Sequence, residues 1–289
     1  MSAPKLRTVV NRIAVLGAGT MGHGIAHAAM AAGYDTVLYD VSDSAVTKGK
    51  SAIDAVIKKS VELGKATEAD AASLRARLRT STSIAGAVKD ADVVIEAAPE
   101  KIDLKLALFR EVEAAAPAHA VFASNTSALS ITEMAAVLAN PGRLGGMHFF
   151  NPVHRMKLIE VVRALDTSDE TIAIMEEVSA KMGKETVLVK ESPGFVTSRI
   201  NAMIGNEAFY MLQDGVASAR DIDKALKLGL NHPMGPFELV DLVGLDTRLS
   251  ILQYLHRTLG DKFRPCPLLE QHVKDGRLGR KVGKGVYDY

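Results

Sequence analysis

Two groups of residues in this chain have types and spacings that could do chemistry. The first is Gly17-Ala18-Gly19-Thr20-Met21-Gly22, a G-x-G-x-x-G run that follows an apolar segment and opens an Ala-rich one. Gly17 permits a tight turn, Gly19 lets a pyrophosphate approach the backbone, and Gly22 lets helix and strand pack closely. The amides of Thr20 and Met21, at the helix amino terminus, would face the phosphates with a partial positive charge. Asp40 closes the next apolar run and would accept hydrogen bonds from an adenosine ribose. A 2′-phosphate there would meet a carboxylate, and Val41 and Ser42 supply no cation, so the reading is NAD rather than NADP. The same turn also serves FAD, and a glycine turn can be purely structural. The second is His148, with the acid Glu160 in the following apolar run, a pairing that spacing alone does not establish. An imidazole titrates near neutrality and can take or return a hydroxyl proton. A carboxylate beside it would fix its tautomer and stabilise the imidazolium. The plainer alternative is a hydrogen-bonded core histidine.

These residues need elements to hold them. Ile13–Leu16 and Thr36–Asp40 read as strands, with a helix over Met21–Ala32 between them that Gly33 stops. Ser42 is placed to cap a long helix through Leu63. Further strands are expected at Asp92–Glu96, Ala120–Ser124, Arg143–His148, Leu158–Val162 and Thr186–Val189. This alternation requires a mainly parallel sheet with helices on both faces, a Rossmann-type α/β arrangement. His148 then falls at the carboxyl end of a strand, where open α/β sheets bind ligands. After Ser192-Pro193-Gly194 the pattern becomes helical, with Ile200, Ile204 and Phe209 and then Ile222, Leu226 and Leu228 at near-helical spacing. The expected domains are residues 1–191, a dinucleotide-binding domain carrying His148, and residues 192–289, an all-helical domain.

Composition narrows the function classes. Lys+Arg of 35 against Asp+Glu of 34 gives a net charge of +1, which offers no general attraction to nucleic acid. No stretch reaches the roughly 18 apolar residues of a membrane helix, and Met1–Asn11 is short, polar and basic, unlike a signal peptide. A single cysteine, Cys266, excludes an internal disulfide and suits a reducing compartment. A cytoplasmic chain with no membrane, nucleic-acid or metal site is expected.

The segments Ser124-Asn125-Thr126-Ser127, His148-Phe149-Phe150-Asn151-Pro152, Ser192-Pro193-Gly194-Phe195 and His232-Pro233-Met234-Gly235-Pro236-Phe237-Glu238-Leu239 carry a resemblance. In this order, and over nearly the whole chain, the sequence resembles the 3-hydroxyacyl-CoA dehydrogenases, most of all those acting alone on 3-hydroxybutyryl-CoA. The resemblance implies that His148 is the catalytic base, that Glu160 orients it, and that Ser127 hydrogen-bonds the substrate 3-oxygen. It also implies that Asn151 lies at the nicotinamide side and that Glu100 and Lys105 contact the cofactor. Without it, Ser127 reads as a cap for a helix near Ser130, Asn151-Pro152 as a turn, and Glu100 with Lys105 as a solvated helix face. One position departs from the family. Ser198 stands where an asparagine commonly helps hold the substrate carbonyl, and Asn201, a turn later, is placed to share that role.

The resemblance further implies the (S)-3-hydroxy isomer, a short-chain acyl-CoA substrate and a homodimer formed through the carboxyl-terminal domain. Lys48, Lys50, Lys58 and Lys59 are candidates for CoA phosphates or simply a solvated face. The His232–Leu239 run reads as a packing and dimer element, and the Gly279–Gly285 loop as a segment that approaches the cofactor. Two rival readings stay open: a sugar-acid dehydrogenase of the L-gulonate type, and a non-catalytic NAD-binding protein.

Overall fold

The computed structural model describes residues 9–289, so the reading of the amino terminus through residue 8 lies outside the described residues. In chain order the first part comprises β1 (Arg12–Leu16), α1 (Thr20–Ala31), β2 (Asp35–Tyr39), α2 (Asp43–Glu62), α3 (Glu68–Ala76), β3 (Leu78–Ser81), α4 (Ile84–Val88), β4 (Val93–Glu96), α5 (Ile102–Ala115), β5 (Val121–Ser124), α6 (Ile131–Ala135), β6 (Leu144–Phe149), β7 (Leu158–Arg163), α7 (Asp169–Lys181) and β8 (Glu185–Lys190). The strands form one sheet in the order β3-β2-β1-β4-β5-β6-β7-β8. Every neighbouring pair is parallel except β6 and β7, which run antiparallel. β4 and β5 are buried throughout, as strands covered by helices on both faces must be.

Local sequence accounts for most boundaries. Ser42 caps α2, its hydroxyl accepting from the Ala45 amide at 3.2 Å. Val46, Gly49, Ile53 and Ile57 form the inward stripe of that helix. β3 was not among the expected strands. Its sequence, Leu-Arg-Thr-Ser, has neither alternation nor an apolar run, because it is a short edge strand with its middle residues in solvent.

The chain divides into two compact units between Glu191 and Ser192. The second contains α8 (Thr197–Gln213), α9 (Ala219–Gly229), α10 (Pro236–Val243), α11 (Leu245–Leu259) and α12 (Pro267–Lys274). Its core gathers Phe209, Ile222, Phe237, Leu252, Leu255 and Phe263. The expected helical spacing is present, but Ile200 and Leu228 are exposed. On α8 the inward face belongs instead to Ala202, Gly205 and Asn206 with Phe209, because the helix packs closely enough on Val240 that only small residues fit. Among the described residues no helix is long and apolar enough to cross a membrane, and no cluster of His, Cys, Asp and Glu is arranged to hold a metal ion.

Candidate active site

The glycine turn sits at the carboxyl end of β1. Gly17 has φ +106°, and a Cβ there would lie 2.5 Å from the Ala97 carbonyl oxygen. A Cβ on Gly22 would fall 1.7 Å from the Gly17 oxygen, so both positions exclude a side chain by contact with the protein itself. Gly19 differs: nothing lies within 4 Å of where its Cβ would be. It also starts α1 without a side-chain cap, and no acid sits in the first turn. An open backbone surface beside uncapped amides is the arrangement a pyrophosphate requires, so the residues fit a dinucleotide. Asp40, at the end of β2, accepts from the Ala18 amide at 2.7 Å and from the Val41 amide at 2.8 Å. Its carboxylate is thereby fixed beside the turn.

On the other side of the sheet centre, β6 and β7 place His148 directly opposite Glu160. Nδ1 of the imidazole lies 2.6 Å from Oε2 of the carboxylate, and Glu160 is fully buried while His148 retains slight exposure. The Phe150 ring packs 4.6 Å from the imidazole centroid. A buried carboxylate on Nδ1 selects the tautomer with its proton there, leaving proton exchange to Nε2.

A second polar network connects β4, β5 and α5. Glu96, fully buried at the end of β4, binds Lys105 Nζ at 2.6 Å, the Ala98 amide at 2.6 Å and the Ser124 hydroxyl at 2.6 Å. Lys105 also lies 3.4 Å from the half-exposed Glu100. Glu100 in turn accepts from Thr126 Oγ1 at 2.6 Å, the Ser127 amide at 3.0 Å and Ser127 Oγ at 3.3 Å. Lys105 is 1% exposed, so the solvated-face alternative does not describe it. Ser127 is not a helix cap either: Ser130 caps α6 through the Glu133 amide. Asn125 Oδ1 accepts the Phe149 amide at 2.9 Å, tying the Ser127 loop to β6. Glu96, Ser124 and Asn125 were not assigned roles from sequence. The signal for Glu96 was an acid closing a short apolar strand; Asn125 had none beyond its motif.

Residues 12–192 match the NAD binding domain of 3-hydroxyacyl-CoA dehydrogenase, and residues 194–289 match its C-terminal domain. The chain belongs to the 3-hydroxyacyl-CoA dehydrogenase family. Its cofactor is NAD. The chain is 47% identical to a probable 3-hydroxybutyryl-CoA dehydrogenase of Bacillus subtilis, over 97% of this chain and 98% of the relative. It is 43% identical to the 3-hydroxybutyryl-CoA dehydrogenase of Bradyrhizobium diazoefficiens, over 98% and 97%. Among solved structures it resembles the (S)-3-hydroxybutyryl-CoA dehydrogenase of Ralstonia eutropha, with a TM-score of 0.94, 45% identity and coverage of 97% and 99%.

The other expected residues of this 3-hydroxyacyl-CoA dehydrogenase family member fall as follows. Asn151 is exposed and precedes Pro152 through a cis peptide bond. Ser198 and Asn201 lie in the first turns of α8, both half-buried. Lys48, Lys50, Lys58 and Lys59 are all exposed on α2, with Lys58 and Lys59 near Glu62. The Gly279–Gly285 loop packs on α10: Cβ atoms at Gly279 and Gly285 would lie 2.3 Å from the Asp241 carbonyl oxygen and 2.1 Å from its carboxylate. In the His232–Leu239 run, Gly235 is held by Glu238 at 3.0 Å, and Asp223 receives the Phe237 and Glu238 amides that start α10. Cys266 is buried, and burial pushes its thiol up, away from reactivity.

Proposed function

We propose that this chain interconverts short-chain (S)-3-hydroxyacyl-CoA, 3-hydroxybutyryl-CoA above all, with the corresponding 3-ketoacyl-CoA. The observation that carries the reading is the 2.6 Å contact of His148 Nδ1 with the buried Glu160. In the oxidative direction His148 Nε2 takes the 3-hydroxyl proton, and the Glu160 carboxylate stabilises the imidazolium that forms. In the reverse direction the same imidazolium returns the proton to the 3-oxygen. NAD, when bound, supplies the carbon that accepts or returns the hydride. Gly17, Gly19, Thr20, Met21 and Gly22 hold its pyrophosphate and Asp40 its adenosine ribose. Glu100, Lys105 and Asn151 border its nicotinamide end, Lys105 by fixing Glu100.

Ser127 turns the hydroxyl that it otherwise gives to Glu100 towards the substrate 3-oxygen, while Glu100 keeps hold of the Ser127 amide at 3.0 Å. Ser198 and Asn201 bind the thioester carbonyl side. Full-length relatives named 3-hydroxybutyryl-CoA dehydrogenases support the short acyl chain. Residues 1–191 form the NAD-binding domain, and residues 192–289 bind substrate and dimerise. Exposed Val196, Ile200 and Leu242 on the helical unit support self-association. The lone cysteine supports a reducing, cytoplasmic setting.

The test follows NADH absorbance with acetoacetyl-CoA for wild type and His148→Gln. Rapid oxidation by wild type and a fall of about 10³-fold or more in the variant, with NADH binding retained, is expected. A folded, NADH-binding wild type that leaves acetoacetyl-CoA untouched would refute the thioester reading and direct the assay to L-gulonate.

A further inference from the structure

The contact between His148 and Glu160 depends on the chain between β6 and β7, which must reverse without slipping. That connection, residues 150–157, makes few bonds of its own: the Arg155 and Met156 amides reach the Pro152 carbonyl at 3.0 and 3.1 Å. It is held from outside by the turn between α7 and β8. Lys184 Nζ donates to the Val153 carbonyl at 2.5 Å and to the Met156 carbonyl at 2.7 Å, and the Glu185 amide donates to the Lys157 carbonyl at 2.8 Å. The connection also rests on α1, where a Cβ at Gly24 would lie 2.9 Å from Val153 Cγ2. His23 and His27 flank Gly24 on that face of α1.

We propose that Lys184 is a positioning residue for the His148–Glu160 pair, and that the histidines gathered around it make this clamp release in acid. The inference rests on the reading of His148 and Glu160 as the proton-transfer pair. The groups acting on the cluster are His23 and His27 from α1, His154 and Arg155 from the connection, and Lys184 from the turn. All are cationic or become so on protonation, and no carboxylate is among them. A carbonyl clamp made by one ammonium tolerates neutral imidazoles beside it. Each imidazolium added would repel Lys184 and its neighbours. Burial accordingly holds His27 down at about 4, and His154 and Lys184 also sit below their ordinary values. Nδ1 of His27 is buried without a hydrogen-bond partner, so nothing in the cluster rewards charging it.

The experiment compares wild type, Lys184→Met, Lys184→Arg and His27→Gln in the reductive direction, NADH with acetoacetyl-CoA, from pH 8 to pH 4. In that direction the 3-oxygen takes its proton from Nε2 of His148. Lys184→Met is expected to lower kcat by about tenfold or more with KM for NADH little changed, and Lys184→Arg to restore most of it. His27→Gln is expected to move the acid limb down by about one pH unit. The downfield Nδ1 proton resonance of His148, read by NMR without turnover, should broaden or vanish in Lys184→Met and persist in Lys184→Arg. Wild-type kcat and resonance in Lys184→Met would overturn the positioning role, and an unshifted acid limb in His27→Gln would overturn the acid release. Absence of turnover by wild type with the resonance behaving as expected would instead count against the proposed substrate.

Discussion

Asn125 Oδ1 holds the amide of Phe149 at 2.9 Å, so the loop that carries Ser127 is fastened to the residue next to His148. Two neighbouring strand ends are thereby locked at one height. In Asn125→Ala the Phe149 amide loses its acceptor, a loss of about 1–3 kcal/mol if no water replaces it. Lower thermal stability and a kcat reduced by about tenfold are expected, since misplacement of catalytic groups is amplified in the rate. Asn125→Asp keeps an acceptor and should stay near wild-type stability. Thermal melts with steady-state kinetics on both variants decide it.

Glu160→Gln preserves shape and removes the charge behind His148. A neutral amide does not compensate the imidazolium and can favour the wrong tautomer, so kcat should fall by about 10²–10⁴-fold. NADH affinity, measured by fluorescence titration, should stay unchanged. A variant with full activity would show that the carboxylate has no part in proton transfer.

Gly19 and Gly22 should separate binding from folding. An alanine at Gly22 would collide with the Gly17 carbonyl, whereas one at Gly19 meets nothing in the protein. Gly19→Ala is therefore expected to melt within about 1 kcal/mol of wild type while losing NADH affinity, because its methyl occupies space the pyrophosphate needs. Gly22→Ala should lower both. Equal NADH affinity for Gly19→Ala and wild type would remove this turn from the cofactor site.

The pH dependence of stability has a definite sign for His27. Its folded pKa is held below 6.5, at about 4. The unfolded chain therefore takes up the proton first as pH falls. The contribution is intact above 6.5, is lost as pH falls from 6.5 towards 4, and changes little further below that. One pKa unit is about 1.4 kcal/mol, so the loss between pH 7 and pH 5 is at most about 2 kcal/mol. Urea unfolding at both values should show a smaller acid loss for His27→Gln than for wild type.

Much of the fold was legible because periodicity and punctuation are local. Ile13–Leu16, the glycine turn, the Ser42 cap and the change of pattern after Pro193 are all read within a few residues. β3 was hidden because an edge strand needs no apolar face, and the inward side of α8 because close packing favours Ala202 and Gly205 over the larger Ile200. In the site, His148 and Glu160 drew attention by residue type, and the family likeness supplied their partnership. Glu96, Asn125 and Lys184 were not legible in that way. Their partners are backbone groups and side chains that only the register of β4, β5, β6 and β7 brings near, and nothing in their own neighbourhoods marks them.

The reversed direction of β7 also limits how this segment can change in length. Side chains on a strand alternate between faces with a period of two. A slip of β7 by one residue against β6 would bring Ile159 or Val161 opposite His148 in place of Glu160. A slip of two restores the parity but puts Leu158 or Val162 opposite the imidazole. The pair therefore exists in one register alone, and the connection must absorb any change in its own length without moving β7.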